Sequence, residues 1–273
     1  MPRQTRGMMM NAETLQAWYQ SPLGELVAEA EREAAGRLLN GCCPGFLVQV
    51  GAMGNGESLP VANAVRQWVV DHDDRVRPGV VAWHDDLPFR SGSVDTVVVV
   101  HQLEFEPDPH RLLREVERIL SPEGHVLILA FNPLSLWGLG RVAGPLRGGQ
   151  PPWCGHYYTG KRLRDWCRVL GLEHRQHERL FFRPPVQRIG IQQRLQRLER
   201  LGRRFWPIFG GVHAELSRKR VARPVNMGAA VRRQSAPVMG SPAAAQARRG
   251  HVQAKVIRAD EKSRNLQRRR MSR

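Results

Sequence analysis

Residues 86–132 read DLPFRSGSVDTVVVVHQLEFEPDPHRLLREVERILSPEGHVLILAFN. This stretch decides the fold. Asp95 to Val100 is a short, almost wholly apolar run, the pattern of a strand buried on both faces. An acidic loop with two prolines follows. From Pro109 to Leu120 the apolar residues Leu112, Leu113, Val116, Ile119 and Leu120 recur at helical spacing, and Asp108 stands at the N-cap position before a proline at N1. Glu123-Gly124 then turns the chain into a second buried strand, His125 to Phe131. A buried strand, a crossover helix and a second buried strand make a parallel βαβ unit.

Working outward, the same alternation continues. Ser21-Pro22 opens a helix over 21–40 with Leu23, Leu26, Val27, Ala30, Ala34, Leu38 and Leu39 on one face and Glu25, Glu29, Glu31 and Glu33 between them. Phe46 to Val50 is a strand that opens onto Gly51-Ala52-Met53-Gly54-Asn55-Gly56. A short helix is expected over 57–66. Trp68 to Val70, ending at Asp71, and Val80 to Trp83 are two further strands. Beyond Asn132, residues 133–160 are punctuated by Gly and Pro. A helix over 160–170, a strand over 174–182, a helix over 187–205 and a last strand over 211–219 complete the reading. The 187–205 helix places Ile191, Leu195, Leu198 and Leu201 on one face and Arg188, Arg194, Arg197, Arg200, Arg203 and Arg204 on the other. Alternating strands and helices predict an α/β, doubly wound, mostly parallel sheet whose ligands bind beyond the carboxyl ends of the strands.

Composition sets the limits of the domain. The chain has 273 residues and a formal charge of +17. Residues 221–273 hold 13 Lys and Arg but only Asp260 and Glu261 as acids, so most of that charge lies in the tail. Such a tail has too little apolar surface to offset its ordering entropy and is expected to be disordered. It is either a solvating tail or an arm for phosphate polymers and anionic membranes. The organisation expected is a frayed N-terminus (1–12), one domain (13–220) with cap-like segments at 133–160 and 187–205, and the basic tail. Cys42, Cys43, Cys154 and Cys167 form no C-x-x-C pair and show no metal-ligand spacing with His, so no metal is expected. No signal-peptide core or membrane-spanning run is visible, and the expected location is the cytoplasm.

The order Leu87-Pro88-Phe89, Ser93-Val94-Asp95 opening a valine strand, the acidic Pro loop, RLLREVERIL, Pro-Glu-Gly and a second buried strand resembles the second half of a class I S-adenosylmethionine-dependent methyltransferase of the type 11 family. Together, WYQSPLGELVAEAE and FNPLSLWGLGR resemble a narrower proteobacterial subgroup over residues 13–220. The resemblance implies a seven-stranded Rossmann-like sheet with a last antiparallel strand, and S-adenosylmethionine as cofactor. It places Gly51, Gly54 and Gly56 against the cofactor and assigns the ribose hydroxyls to Asp71, 20 residues after Gly51, with Asp73 and Asp74 as nearby substitutes. The adenine falls to the segment Trp83 to Leu87. Here Trp83 stands where the family has an acid: it either stacks on the ring or is a core tryptophan, while Asp85 takes the amino group. Gln49 and Met53 replace a family acid and a family glycine. His101, at the end of a strand, faces the methyl group and acceptor, for positioning or as a base. Asn132 either orients the acceptor or satisfies the loop backbone.

Two classes of function therefore compete. One is a methyltransferase acting on a small molecule or, less favoured, on RNA reached through the tail and the 187–205 helix. The other is a degenerate methyltransferase fold that binds RNA or an acidic partner. A nicotinamide dehydrogenase shares the strand–glycine–acid logic but lacks any visible nicotinamide chemistry.

Overall fold

The computed structural model describes residues 15–42, 45–53, 58–61, 64–72, 79–142, 154–186 and 189–220. Seven strands form one sheet: β1 (Phe46–Val50), β2 (Arg66–Asp71), β3 (Val80–Val81), β4 (Val94–Val100), β5 (Leu120–Phe131), β6 (Leu172–Leu180) and β7 (Val212–Lys219), in the order β3-β2-β1-β4-β5-β7-β6. The first five pair in parallel, and β7 lies antiparallel between β5 and β6. The expected architecture is present, including the antiparallel closure.

The helices are α1 (Pro22–Leu39), α2 (Pro109–Ile119), α3 (Leu136–Val142), α4 (Gly160–Val169), α5 (Ile189–Arg194) and α6 (Gln196–Phe205). Three helices, α1, α2 and α4, begin where the sequence provides a cap: Ser21, Asp108 and Thr159 accept from the backbone N–H three residues on. Strand residues alternate between two cores. Val98, Val100, Leu127 and Leu129 face α1 and the helical turn at 15–19, whereas Val97, Val99, Val126 and Ile128 face α2 and α4.

Several expectations need correction. The described residues between β1 and β2 contain no helix. Instead the fully buried Leu59 donates its N–H to Gln49 Oε1 and accepts from Gln67 Nε2, each at 2.8 Å. Side chains thus satisfy the backbone there, and Pro60 has no N–H to continue a helix. The third strand is two residues long, and Val81 and Trp83 are exposed at this edge of the sheet. The expected 187–205 helix is two helices with a break at Leu195, and Ile191 and Leu201, read as part of one apolar face, are exposed. On α2, Glu115 and Arg118 pair at 2.7 Å and also serve the backbone. Arg118 donates to the carbonyls of Leu87 and Phe89, and Glu115 accepts from the Leu87 N–H, so the helix clamps the Leu-Pro-Phe turn. The Arg118 hydrogen bond accordingly holds the Glu115 carboxyl below its ordinary range.

Candidate cofactor and acceptor site

Beyond the carboxyl ends of the central strands lie most of the expected residues. Gly51 follows β1 with φ of 92°, a conformation that suits glycine. A Cβ there would strike the Gln102 side chain and the Val100 carbonyl, so the neighbour that this glycine admits is Gln102. Gln49 does what an acid in its place could not: its amide donates to Gly51 O (2.9 Å) while its carbonyl accepts from Leu59, tying both ends of the loop. Met53 is fully buried core. Gly54 and Gly56 lie outside the described residues, as do Asp73 and Asp74.

Asp71 ends β2 and is fully buried. Its Oδ2 accepts from Ala52 N at 2.8 Å and from Gln16 Nε2 at 3.3 Å; its Oδ1 is 3.3 Å from His72 Nδ1. The carboxylate is therefore held by the glycine loop on one side and by the N-terminal segment on another. The His72 ring lies parallel to Trp83, centroids 5.8 Å apart with 10° between planes. Trp83 is 46% exposed, which overturns the core reading of this residue. Beside it is a cavity of about 450 Å³ lined by Trp83, His84, Asp85, Glu106, Asp108 and Arg111. Asp85 pairs with Arg111 at 3.3 Å. Leu87 is buried, fixed by α2 as described above.

Sequence reasoning passed over His84. It is buried, its Nδ1 is 2.8 Å from Glu106 Oε1, and its Nε2 has no hydrogen-bond partner. Asp71, His72 and His84 bring ligand atoms within 4.8 Å of one another, close enough to hold a metal ion, although their spacing in sequence gave no such signal. His174, His177 and Glu215 do likewise on β6 and β7, but there Arg164 already occupies Glu215 at 2.7 Å.

His101 directly follows β4 with φ of 50°. It is fully buried, with Nε2 2.7 Å from Glu31 Oε1 and Nδ1 2.9 Å from Glu104 Oε1. Its ring stacks on Phe131 at 4.0 Å. Burial alone would lower its pKa, but the two carboxylates outweigh burial and raise it to about 10. His101 is thus an imidazolium whose two N–H groups are both committed. Both ring nitrogens are committed to carboxyl groups, an arrangement that favours the positioning role over that of a base. Glu31, read from sequence only as an acid between the apolar positions of α1, is fully buried and also accepts from Tyr19 Oη at 2.9 Å. Glu104 Oε1 accepts from Phe131 N at 2.7 Å, while its Oε2 has no partner.

Asn132 is fully buried. Its Nδ2 donates to Ile208 O and Gly210 O, both at 2.8 Å, and its Oδ1 accepts from Leu134 N at 3.0 Å. Of the two roles expected for it, the structure places it in the second: it fastens the 208–210 turn to the end of β5.

Residues 41–128 match the family model described as a methyltransferase domain. Among curated proteins, the uncharacterized protein YafS of Escherichia coli (strain K12) is 40% identical over 87 residues, which is 32% of this chain and 36% of YafS. The match therefore spans about a third of that relative's length. Among solved structures, an S-adenosylmethionine-dependent methyltransferase from Thermotoga maritima is similar with a TM-score of 0.50 at 20% identity, covering 70% of this chain and 88% of that one. A chain from the complex of the Haloferax volcanii Trm112 methyltransferase activator with a methyltransferase has a TM-score of 0.52 at 16% identity, covering 78% and 99%. At these identities the likeness is one of fold.

Proposed function

We propose that this chain, whose fold is that of the class I S-adenosylmethionine-dependent methyltransferases, transfers a methyl group from S-adenosylmethionine to a small-molecule acceptor. The observation that carries the proposal is the placement of Asp71. A carboxylate ends β2, takes the N–H of the glycine loop, and stands beside the exposed Trp83 face and a cavity open to solvent.

The adenosyl end of the cofactor fits these residues. Asp71 would accept the ribose hydroxyls in exchange for the long Gln16 contact. Trp83 and His72 offer parallel ring faces for the adenine, and Asp85 and the unpartnered Nε2 of His84 offer polar contacts at its edge. When bound, the cofactor supplies an electrophilic methyl group on a sulfonium. The chain's part is positioning, which accounts for roughly 7–11 kcal/mol of barrier lowering in well-oriented reactions. Two carboxyl groups on one imidazole ring, Glu31–His101–Glu104, make an acidic cluster at the end of β4, complementary to a cationic sulfonium. Asn132 shapes the acceptor side indirectly, through the 208–210 turn.

A second reading, a methyltransferase fold that binds RNA or an acidic partner without turnover, is favoured by three observations. Gln102 takes the approach to Gly51, Gln16 covers Asp71, and Met53 fills the place of a family glycine. Calorimetric titration with S-adenosylmethionine separates the two. Saturable binding is expected, weakened at least ~10-fold by Asp71→Ala, because hydrogen bonds to a charged group contribute about 1.5–3 kcal/mol. No heat at millimolar cofactor would sink the enzyme reading. Binding that Asp71→Ala leaves unchanged would reject the ribose assignment alone.

A further inference from the structure

The segment after α6 runs Phe205-Trp206-Pro207-Ile208-Phe209, and its four large apolar side chains are 52–61% exposed. They are held outward by the fold. Asn132 and Arg179 both donate to Ile208 O, and Trp206 N donates to Gly202 O. Beside them an almost wholly apolar groove of about 300 Å³ lies between Leu136, Phe182, Gly202, Trp206 and Phe209, with Leu134 and Leu139 also exposed nearby in sequence. A contiguous apolar patch at a fixed tip marks an interaction surface.

Charge identifies the partner. Residues 187–209 contain six arginines and one acid, Glu199. That acid is turned inward, accepting from Phe181 N and Phe182 N at 2.9 Å each. Arg194, Arg200 and Arg204 are exposed. An aromatic and aliphatic wedge bordered by arginines fits the boundary between anionic headgroups and acyl chains. Phe205, Trp206 and Phe209 are also stacking platforms of the kind a single-stranded nucleic acid uses, but the aliphatic Leu136, Leu201 and Ile208 exposed among them add nothing to stacking and suit acyl chains.

We infer that the 201–209 tip, with Leu136 beside it, docks the protein on an anionic lipid surface. The inference is independent of methyl transfer. It is tested with the full chain and sedimented vesicles of phosphatidylcholine with or without phosphatidylglycerol. Binding is expected only with phosphatidylglycerol, together with a blue shift of emission that is reduced in Trp206→Phe. Phe205→Ser/Ile208→Ser keeps every charge, the basic tail included, and both sites are exposed. It should lower the partition coefficient at least ~10-fold, the loss expected from two buried apolar side chains. Arg200→Gln/Arg204→Gln should weaken binding and flatten its salt dependence. The inference is overturned if wild-type protein stays in the supernatant, or if the Phe205/Ile208 variant partitions like wild type. It is also overturned if that variant loses affinity for single-stranded RNA while vesicles retain neither protein.

Discussion

Replacing Glu31 by glutamine tests the buried charge cluster with almost no change in shape. The Glu31 carboxylate serves two donors at once, His101 Nε2–H at 2.7 Å through one oxygen and Tyr19 O–H at 2.9 Å through the other. Burial, reinforced by the Glu31 charge, holds the Tyr19 pKa well above its ordinary value, so the phenol remains a donor. A glutamine side chain has one oxygen; its NH₂ would face whichever donor the oxygen does not. One fully buried donor is then left without an acceptor, at a cost of about 1–3 kcal/mol, and the imidazolium loses one of its two counter-charges. Breaking a buried ion pair costs about 3–5 kcal/mol, so Glu31→Gln should lose ~3 kcal/mol in urea denaturation at neutral pH. The pH dependence gives a second signature. The folded pKa of His101 is raised, so its stabilisation is complete below the ordinary value of 6.5 and is lost as pH rises through about 10. Wild type should therefore lose stability over that window faster than Glu31→Gln, and the gap should narrow towards its upper end. Equal stability at neutral pH, or a gap that does not change with pH, would refute the reasoning.

Two further perturbations follow from the packing. A Cβ on Gly138 would run into the Pro133 backbone, and the neighbouring Trp137 stacks on Phe131 in the core. Gly138→Ala should cost ~1–3 kcal/mol, the range for overpacking, and an unshifted melting temperature would contradict that contact. Cys167 is 1% exposed and burial pushes its thiol up to about 12. Iodoacetamide at mildly alkaline pH should modify the half-buried Cys154 in the native protein and reach Cys167 only in urea, as peptide mass spectrometry would show; equal rates would refute it.

Much of the fold was legible because its signals are local. The valine strand at 94–100, the capped helix that follows it and the strand ending at Phe131 each show their own periodicity. The strand order then follows from chirality and chain order. The site was less legible. Glu31 sits among other glutamates on a helix, where an acid ordinarily faces water; what buries it is a histidine 70 residues away, and no local pattern carries that contact. Asn132 was named, but which of its two roles it plays depends on the backbone of residues 208–210. That the described residues after the glycine loop form no helix reflects Gln49 and Gln67 satisfying Leu59 from neighbouring strands. The apolar face read over 187–205 left its surroundings open, because amphipathic spacing implies burial only when a partner surface is present. Here Ile191 and Leu201 remain exposed.

The position of β7 has a consequence for the order in which the molecule is assembled. Among the described residues β6 has no sheet neighbour except β7, and β7 is also what joins β6 to β5. The last of the described strands to be made is thus the one that inserts between two strands already synthesised. Until residues 212–219 leave the ribosome, β5 and β6 must wait with open hydrogen-bonding edges, the condition in which nascent chains pair wrongly. Completion of the sheet is therefore a single late event, and an interruption of synthesis before Lys219 forfeits two strands at once.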